Sequence, residues 1–275
     1  MTDTHRRAAM AERAARAGGT VARQAFRGDL QVDTKADKTD PVTEADRDAQ
    51  RQVVATIRAE FPDDAVVGEE DAVPVGTDAS EQLVDRVPET GDAWVVDPID
   101  GTANFARELR LWTTSVAAVV DGEAVAAVSY LPAHGELYAA GGEGATRDGD
   151  ALAVSDRADP ETFVVGLTGR YRPDDTGTFG DTCGALLDRL GDLRRLGSMQ
   201  ATLAFVASGG LEAVVATEEQ SPWDTLAGVH LVREAGGVVT DLEGDRWAVD
   251  SGGLVASNGE AHEAVLAAVR AGLDG

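Results

Sequence analysis

The chain has 275 residues, of which 43% are hydrophobic and 27% charged, and its formal net charge is −25 at pH 7. This length can bury a substantial core in one large domain or two closely packed halves, and the acidic balance excludes sequence-independent binding to nucleic acid or to an anionic membrane, because both need a basic surface. Since no apolar run approaches the ~20 residues of a membrane span and the first residues lack the apolar segment of a secretion signal, we expect a cytoplasmic protein.

Residues 1–145 show two amphipathic helices followed by strands. Helical periodicity predicts helices over residues 8–26 and 44–60. Apolar runs then predict strands over residues 65–67, 93–96, 114–120, 124–130 and 136–140. The strands at 114–120 and 124–130 are joined through Asp121-Gly122, which is typical of a hairpin turn.

Residues 146–275 show strands and helices in alternation. Strands are predicted over 163–167, 193–196, 211–216, 238–241 and 254–257. Helices are predicted over 179–190, 199–208, 223–235 and 261–271. An antiparallel half followed by an alternating half predicts an α+β or α/β fold in which helices and sheets form layers.

The most informative segment is AWVVDPIDGTANF, residues 93–105. The predicted strand stops at Asp97 and Asp100, and Gly101-Thr102 follows directly. Carboxylates at a strand end beside a glycine turn can hold a metal ion against a phosphate. The spacing alone leaves a second interpretation open, a strand-end turn that caps a helix.

Three other segments accompany it in chain order: TDPVTEAD at 39–46, VVGEE at 66–70 and SPWDTLAGVHLVREAGG at 221–237. Together with DPIDGTANF, this set resembles the inositol monophosphatase superfamily of magnesium-dependent, lithium-sensitive phosphatases, which includes fructose-1,6-bisphosphatases and nucleotide 3'-phosphatases. The resemblance runs from the first helix to the last strand. It implies a layered αβαβα sandwich of the sugar-phosphatase type, with most metal ligands in the half 1–145 and the substrate-recognition elements in the half 146–275.

The resemblance implies a site for two or three Mg²⁺ ions. The implied ligands are Glu69, a bridging Asp97, the main-chain carbonyl of Ile99, Asp100 and Asp224. Hard cations prefer such oxygen ligands, and Glu70 is expected to support them. Two plainer interpretations stay open: Glu69 and Glu70 as solvated glutamates, and Asp224 as an ordinary carboxylate in the first turn of a helix.

The same resemblance implies catalytic groups. Thr102 and Glu69 would position the attacking water, and Asp46 would orient the Thr102 hydroxyl. Lys35 would stabilise an ion or the phosphate, although it could equally be a solvated loop charge. Main-chain groups of Gly101 and Thr102 would face the phosphate. A plain N-cap is a second role open to Thr102, and it is compatible with the first.

The half 146–275 is implied to bind the leaving group. Gly197, Ser198 and Asp224 are the expected contacts with substrate. Whether Glu218, Glu219 or Thr217 faces the sugar is open, because the interval before Asp224 departs from that of inositol-specific members. Arg170 and Arg172 would meet a second phosphate if they face the site, which would favour fructose 1,6-bisphosphate; as solvated loop charges they would not.

We therefore expect a phosphomonoesterase that uses metal-activated water, with myo-inositol 1-phosphate as leading substrate. Fructose-1,6-bisphosphatase activity, also in a dual-activity enzyme, is the closest alternative, and nucleotide 3'-phosphatase and histidinol phosphatase activities rank lower. A degenerate metal-binding scaffold and a calcium-binding structural protein are the non-enzymatic alternatives, the latter without any EF-hand spacing. Dimers are common among relatives, so a homodimer is one expected assembly, although no sequence feature marks an interface.

The charge pattern itself predicts a halophilic protein. Acidic residues are scattered along the chain, and lysine occurs only at positions 35 and 38. We expect loss of circular dichroism and of activity when the purified protein is moved from about 1 M salt, where the Debye length is ~3 Å, to dilute buffer, where surface repulsion is unscreened. A protein that stays folded and active in dilute buffer would contradict this prediction.

Overall fold

The computed structural model describes residues 3–28, 32–34, 41–71, 83–169 and 176–274, which form sheets between layers of helices. The helices are α1 Asp3–Ala25, α2 Glu44–Arg58, α3 Thr102–Ala106, α4 Thr176–Leu187, α5 Met199–Ala207, α6 Pro222–Glu234 and α7 His262–Leu273, with a 3₁₀ turn at Pro160–Thr162. None of these helices is long and apolar enough to cross a membrane.

The strands fall into a small hairpin and two larger sheets. The hairpin pairs β1 Val32–Thr34 with β2 Pro41–Thr43. The first sheet contains β3 Ala65–Gly68, β4 Asp92–Asp100, β5 Thr113–Val120, β6 Glu123–Leu131, β7 Glu136–Ala140, β8 Ala145–Arg147 and β9 Asp150–Ala151, side by side in chain order. The second sheet contains β10 Val164–Thr168, β11 Asp192–Arg194, β12 Ala213–Ala216, β13 Val238–Thr240 and β14 Leu254–Ser257.

Strand direction differs between the two sheets. In the first sheet β3 is parallel to β4, and every later neighbour is antiparallel. The second sheet has the order β11-β10-β12-β14-β13, with β10 parallel to β11 and β12, and β14 antiparallel to both neighbours. The predicted hairpin is confirmed, because Asp121 and Gly122 both have positive φ, 50° and 80°, as a two-residue turn between twisted strands requires.

Three layers of helices cover the two sheets. Helices α1 and α2 pack on one face of the first sheet, around Val53 and Trp94. Helices α5 and α6 fill the space between the sheets, where Leu203 and Leu231 belong to a buried cluster that includes apolar residues of both sheets. Helices α4 and α7 cover the outer face of the second sheet, around Leu186. The predicted αβαβα layering is therefore confirmed.

Strand β4 departs from the prediction at the motif itself. The sequence predicts that the strand stops at Asp97, whereas β4 continues to Asp100. Asp97 pairs with Ser115 and Asp100 with Thr113, so β4 carries one more residue than β5 over this interval, as in a β-bulge. Pro98 lies in this interval, where its missing N–H removes no ladder bond. The bulge turns the end of the strand without ending it.

Four short strands were not predicted: β1, β2, β8 and β9. The segment of β8 and β9 reads ATRDGDA, and Gly and Asp are depleted in strands. Tertiary pairing overrides this propensity, because β8 pairs with the edge of β7 and β9 pairs in turn with β8. The division into halves at 145/146 stays a prediction, and the first sheet extends past it to Ala151.

Helices α5 and α6 approach each other closely at Gly228. A Cβ atom at this position would lie 2.5 Å from the Cβ atom of Leu203 and 2.9 Å from Oε1 of Gln200. We expect Gly228→Ala to lower the free energy of unfolding by about 1–3 kcal/mol through overpacking, although alanine is the better helix former by ~1 kcal/mol. Urea unfolding at constant salt measures the difference.

Gly180 in α4 is the matched control. It is also a helical glycine, but a Cβ atom there would meet nothing within 4 Å. Gly180→Ala should therefore raise the free energy of unfolding by up to ~1 kcal/mol. Equal effects of the two substitutions would contradict the close packing of α5 on α6.

Candidate active site

Three carboxylates from two different layers converge at the end of β4. Asp97 and Asp100 belong to β4, and Asp224 lies in the first turn of α6. One carboxylate oxygen of each lies within 4.8 Å of the others. Asp97 and Asp100 are buried, and Asp224 is partly exposed, so the cluster has an open side at α6. Sequence reasoning named all three residues.

Of the three carboxylates, that of Asp97 has the least favourable surroundings for a negative charge. Both of its carboxylate oxygens are buried, and no donor of the described residues hydrogen-bonds to either. Burial raises its pKa well above the usual value, and the charges of Glu69, Asp100 and Asp224 raise it further. An ionised carboxylate that is buried among like charges is costly. Such an all-oxygen set of donors fits a hard divalent cation.

Glu69 follows β3 directly, and α2 holds the backbone beside it. The Glu69 N–H donates to the carbonyl of Val96 (3.2 Å), as a continuation of the β3–β4 pairing. Gln50 of α2 donates from Nε2 to the carbonyl of Glu70 (2.8 Å), and the Glu70 N–H donates to Gln50 Oε1 (3.0 Å). The Glu69–Glu70 backbone is therefore fixed from both sides.

Sequence reasoning missed Gln50. A sign of it was available, because Gln50 lies three residues before Val53 on the apolar stripe of α2. A glutamine on such a stripe needs buried partners.

Asp100 lies at the N-terminus of α5. Its Oδ2 accepts hydrogen bonds from Ser198 Oγ and from the Gln200 N–H (2.7 Å), and its Oδ1 accepts one from the Met199 N–H (3.2 Å). Burial raises the pKa of Asp100 to about 6, although these three hydrogen bonds each lower it. Ser198 also accepts from the Ala201 N–H (3.1 Å) and so caps α5. The structure thus places Ser198 against Asp100.

Gly101 and Gly197 bring the end of β4 against the loop that precedes α5. Gly101 has φ 94°, and a Cβ atom there would lie 3.0 Å from the carbonyl oxygen of Gly197. A side chain at Gly101 would therefore be strained and would collide with the loop. Asn104 Nδ2 donates to the carbonyl of Leu196 (2.8 Å) and ties α3 to the same loop.

Asp46 and Thr102 form a second polar group beside the cluster. The Thr43 N–H and hydroxyl both donate to Asp46 Oδ2 (2.8 and 2.6 Å). Thr102 Oγ1 lies 3.2 Å from Asp46 Oδ1 and 3.0 Å from the carbonyl oxygen of Ile99, so its single proton serves one of them at a time. Burial raises the pKa of Asp46 to about 7, the Thr43 bonds oppose this, and the charge of Glu69 adds to it.

The remaining predicted residues are spread more widely. Glu69 lies near enough to the cluster for its charge to act on the pKa of Asp46, Asp97 and Asp100. Glu218 and Glu219 are exposed in the loop before α6. Three predicted positions lie outside the described residues: Lys35, Arg170 and Arg172.

Comparisons with known proteins identify the family. The model of the inositol monophosphatase family matches residues 3–273. A Thermotoga maritima protein named fructose-1,6-bisphosphatase/inositol-1-monophosphatase is 38% identical over 239 residues, which are 86% of each chain. The Escherichia coli K12 protein named Nus factor SuhB is 33% identical over 264 residues, 95% of this chain and 94% of that protein.

Solved structures give the same result. The Thermotoga maritima IMPase superposes with a TM-score of 0.83 at 32% identity, covering 95% of this chain and 96% of the other. An inositol monophosphatase from Anabaena (Nostoc) superposes with a TM-score of 0.81 at 27% identity, covering 98% and 97%. Because the family model covers nearly the whole chain and a relative is 38% identical over 86% of it, the chain belongs to the inositol monophosphatase family of phosphatases.

Proposed function

We propose that this protein is a Mg²⁺-dependent phosphomonoesterase whose leading substrate is myo-inositol 1-phosphate. The observation that carries the proposal is the buried carboxylate of Asp97, which lies beside Asp100 and Asp224 and accepts no hydrogen bond from the described residues. Such a group is costly unless a cation compensates it. A cytoplasmic location, small phosphorylated substrates and a homodimeric assembly are part of the same proposal.

The donor set indicates which residues would hold the metal. Glu69, Asp97, Asp100, Asp224 and the carbonyl of Ile99 would bind two or three Mg²⁺ ions. When bound, the ions would supply positive charge that polarises the phosphate and lowers the pKa of a water molecule. A nearby cation also lowers the pKa of the carboxylates that burial raises. Asp97 and Asp100, whose pKa burial raises, would then be usable as ligands at neutral pH.

The chain itself would orient the attacking water through Thr102. If the carbonyl of Ile99 serves as a ligand, the Thr102 proton is left to Asp46 Oδ1. The two donations from Thr43 hold Asp46 Oδ2, so Oδ1 stays turned toward Thr102. Thr102 Oγ1 can then accept a hydrogen bond from water, and Glu69 would take the proton that the water loses. Attack at phosphorus breaks the bond to the leaving alcohol without a phosphoenzyme.

The groups assigned to the substrate would lie around the same metal site. Gly101 and Thr102 would face the phosphate, and Gly197 and Ser198 would lie toward the leaving group. The N–H groups of Met199 and Gln200 donate to Asp100. Because these two N–H groups already donate to Asp100, they are not left for the phosphate. Phosphate recognition would therefore depend on Gly101 and Thr102, on the ions and on Lys35.

Fructose 1,6-bisphosphate is the second candidate substrate. The Thermotoga maritima relative at 38% identity carries both activities in its name. The SuhB relatives carry the name Nus factor, but the net charge of −25 argues against nucleic acid as a partner of this chain. Nucleotide 3'-phosphates and histidinol phosphate rank lower, because no described contact of the site favours a base or an imidazole.

A panel of phosphomonoesters tests the proposal. Phosphate release from myo-inositol 1-phosphate, fructose 1,6-bisphosphate, a 3'-nucleotide and histidinol phosphate would be measured at high salt, with Mg²⁺ and with a chelator. We expect the highest kcat/KM with inositol 1-phosphate and none with the chelator. If kcat/KM for fructose 1,6-bisphosphate lies within about tenfold of that for inositol 1-phosphate, a difference of ~1.4 kcal/mol in activation free energy, the enzyme is bifunctional. Absence of Mg²⁺-dependent release from every ester would favour the scaffold.

Asp97→Asn tests the metal assignment through stability. The pKa of Asp97 is raised in the folded state, so the metal-free protein loses stability as pH rises above the unfolded value of 3.8. Asparagine removes that loss. At pH 7.5 without metal, we expect the Tm of Asp97→Asn to rise by about 3 °C or more, since ~1 kcal/mol shifts Tm by ~2–4 °C in a chain of this size. Stabilisation by Mg²⁺ and turnover should both disappear.

Glu212→Gln is the matched control. Glu212 is also a fully buried carboxylate, but it accepts hydrogen bonds from Arg157 (2.7 Å) and from the Val164 N–H (2.7 Å). Its neutralisation should lower Tm and leave the Mg²⁺ response intact. If Asp97→Asn lowers Tm as Glu212→Gln does and retains the response, the metal assignment is wrong.

A further inference from the structure

Gln200 connects the two elements that deliver Asp100 and Asp224. Its side chain is fully buried in the first turn of α5. Nε2 donates to the carbonyl of Trp223 (2.6 Å), and Oε1 accepts from the Gly228 N–H (2.7 Å). Both partners belong to α6, on either side of Asp224 along the helix. One amide group therefore holds α6 at two points.

The main chain of the same residue holds the other ligand. The Gln200 N–H donates to Asp100 Oδ2 at 2.7 Å. The path from Asp100 to the residue that precedes Asp224 is thus one hydrogen bond, one glutamine and a second hydrogen bond. Asp100 and Asp224 are 124 positions apart in the sequence, but their carboxylate oxygens lie within 4.8 Å of each other.

The carbonyl of Trp223 and the N–H of Gly228 fix the orientation of the amide, and a row of buried hydroxyls ends beside its oxygen. Thr113 and Ser115 hydroxyls lie 2.9 Å apart, Ser115 Oγ donates to Ser129 Oγ (3.2 Å), and Ser129 Oγ lies 3.5 Å from Gln200 Oε1. A flipped amide would turn its NH₂ toward the Gly228 N–H and its oxygen toward the carbonyl of Trp223. The amide therefore has one satisfied orientation.

Packing alone does not call for a glutamine here. The helix reads MQATLAFVA, its other side chains are apolar or small, and α5 lies in the apolar layer between the sheets. Methionine has a similar length and no polar atoms that need partners. A buried amide is favourable only where every donor and acceptor is satisfied, and its partners here are the helix of Asp224 and the hydroxyl row.

We propose that Gln200 is a positioning residue for the metal site, which sets the separation of Asp100 and Asp224. The inference rests on the proposed function, because it concerns the ligands of the same ions. Residues that hold metal ligands typically change metal affinity by about 10–100-fold when replaced. Loss of the Gln200 amide should therefore weaken metal binding before it affects the fold.

Metal binding without substrate tests the proposal. Mn²⁺ binding to the metal-free protein at high salt would be measured by electron paramagnetic resonance, which reports free Mn²⁺, for the wild type and for Gln200→Met. We expect the dissociation constant for Mn²⁺ to be about tenfold higher in the variant. Affinity within twofold of the wild type would overturn the inference. If Gln200→Met does not fold, as judged by circular dichroism, Gln200→Ala takes its place under the same criterion.

Leu203→Ala separates positioning from packing. Leu203 is buried in the same contact between α5 and α6, and its truncation removes volume but no side-chain hydrogen bond. It should lower the free energy of unfolding by about 2–5 kcal/mol and leave Mn²⁺ affinity within twofold. An equal loss of affinity in Leu203→Ala would overturn the role of the amide. A wild type that binds no Mn²⁺ would overturn the proposed function itself, and this inference with it.

Discussion

Repulsion among buried carboxylates is the constraint on which the rest of the site depends. Asp97 has no hydrogen-bond donor in the part of the chain that the structure describes, and three acidic neighbours raise its pKa. Left to itself, such a group would move to solvent or keep its proton. The fold limits the movement, because β4 lies inside the first sheet between β3 and β5, and the bulge at its end brings the Asp100 carboxylate against the N-terminus of α5.

The three buried aspartates, Asp46, Asp97 and Asp100, differ in the hydrogen bonds that stabilise their charged forms. Asp100 accepts hydrogen bonds from Ser198, Met199 and Gln200, and its pKa rises only to about 6. Asp46 is held by Thr43 and reaches about 7, and Asp97, without donors among the described residues, is raised well above its usual value. Hydrogen bonds stabilise the charged form. The least satisfied carboxylate is therefore the one that gains most from a cation.

The carboxylates of the cluster were easier to predict from the sequence than the residues that hold them in place. Asp97 and Asp100 are recognisable because local spacing and the glycine turn mark them, and Asp224 follows a helix start. Gln50 and Gln200 bond to groups that are 20 or more positions away, which no local pattern encodes. The predicted end of β4 was wrong for a similar reason. Pairing with β5 continues the strand past Pro98, a residue that local propensity treats as a stop.

Two separate electrostatic problems meet in this protein. The scattered surface charge is exposed, so salt at about 1 M screens it over ~3 Å. Asp97 and Asp100 of the cluster are buried, and screening by mobile ions is much weaker for buried charges. Monovalent salt can therefore reduce repulsion among the surface charges without reducing repulsion among the buried carboxylates of the site. An ion that enters past the partly exposed Asp224 would do that, and because Asp97 and Asp100 lie on β4 and Asp224 on α6, it would also link the first sheet to the helix layer and stabilise the folded state.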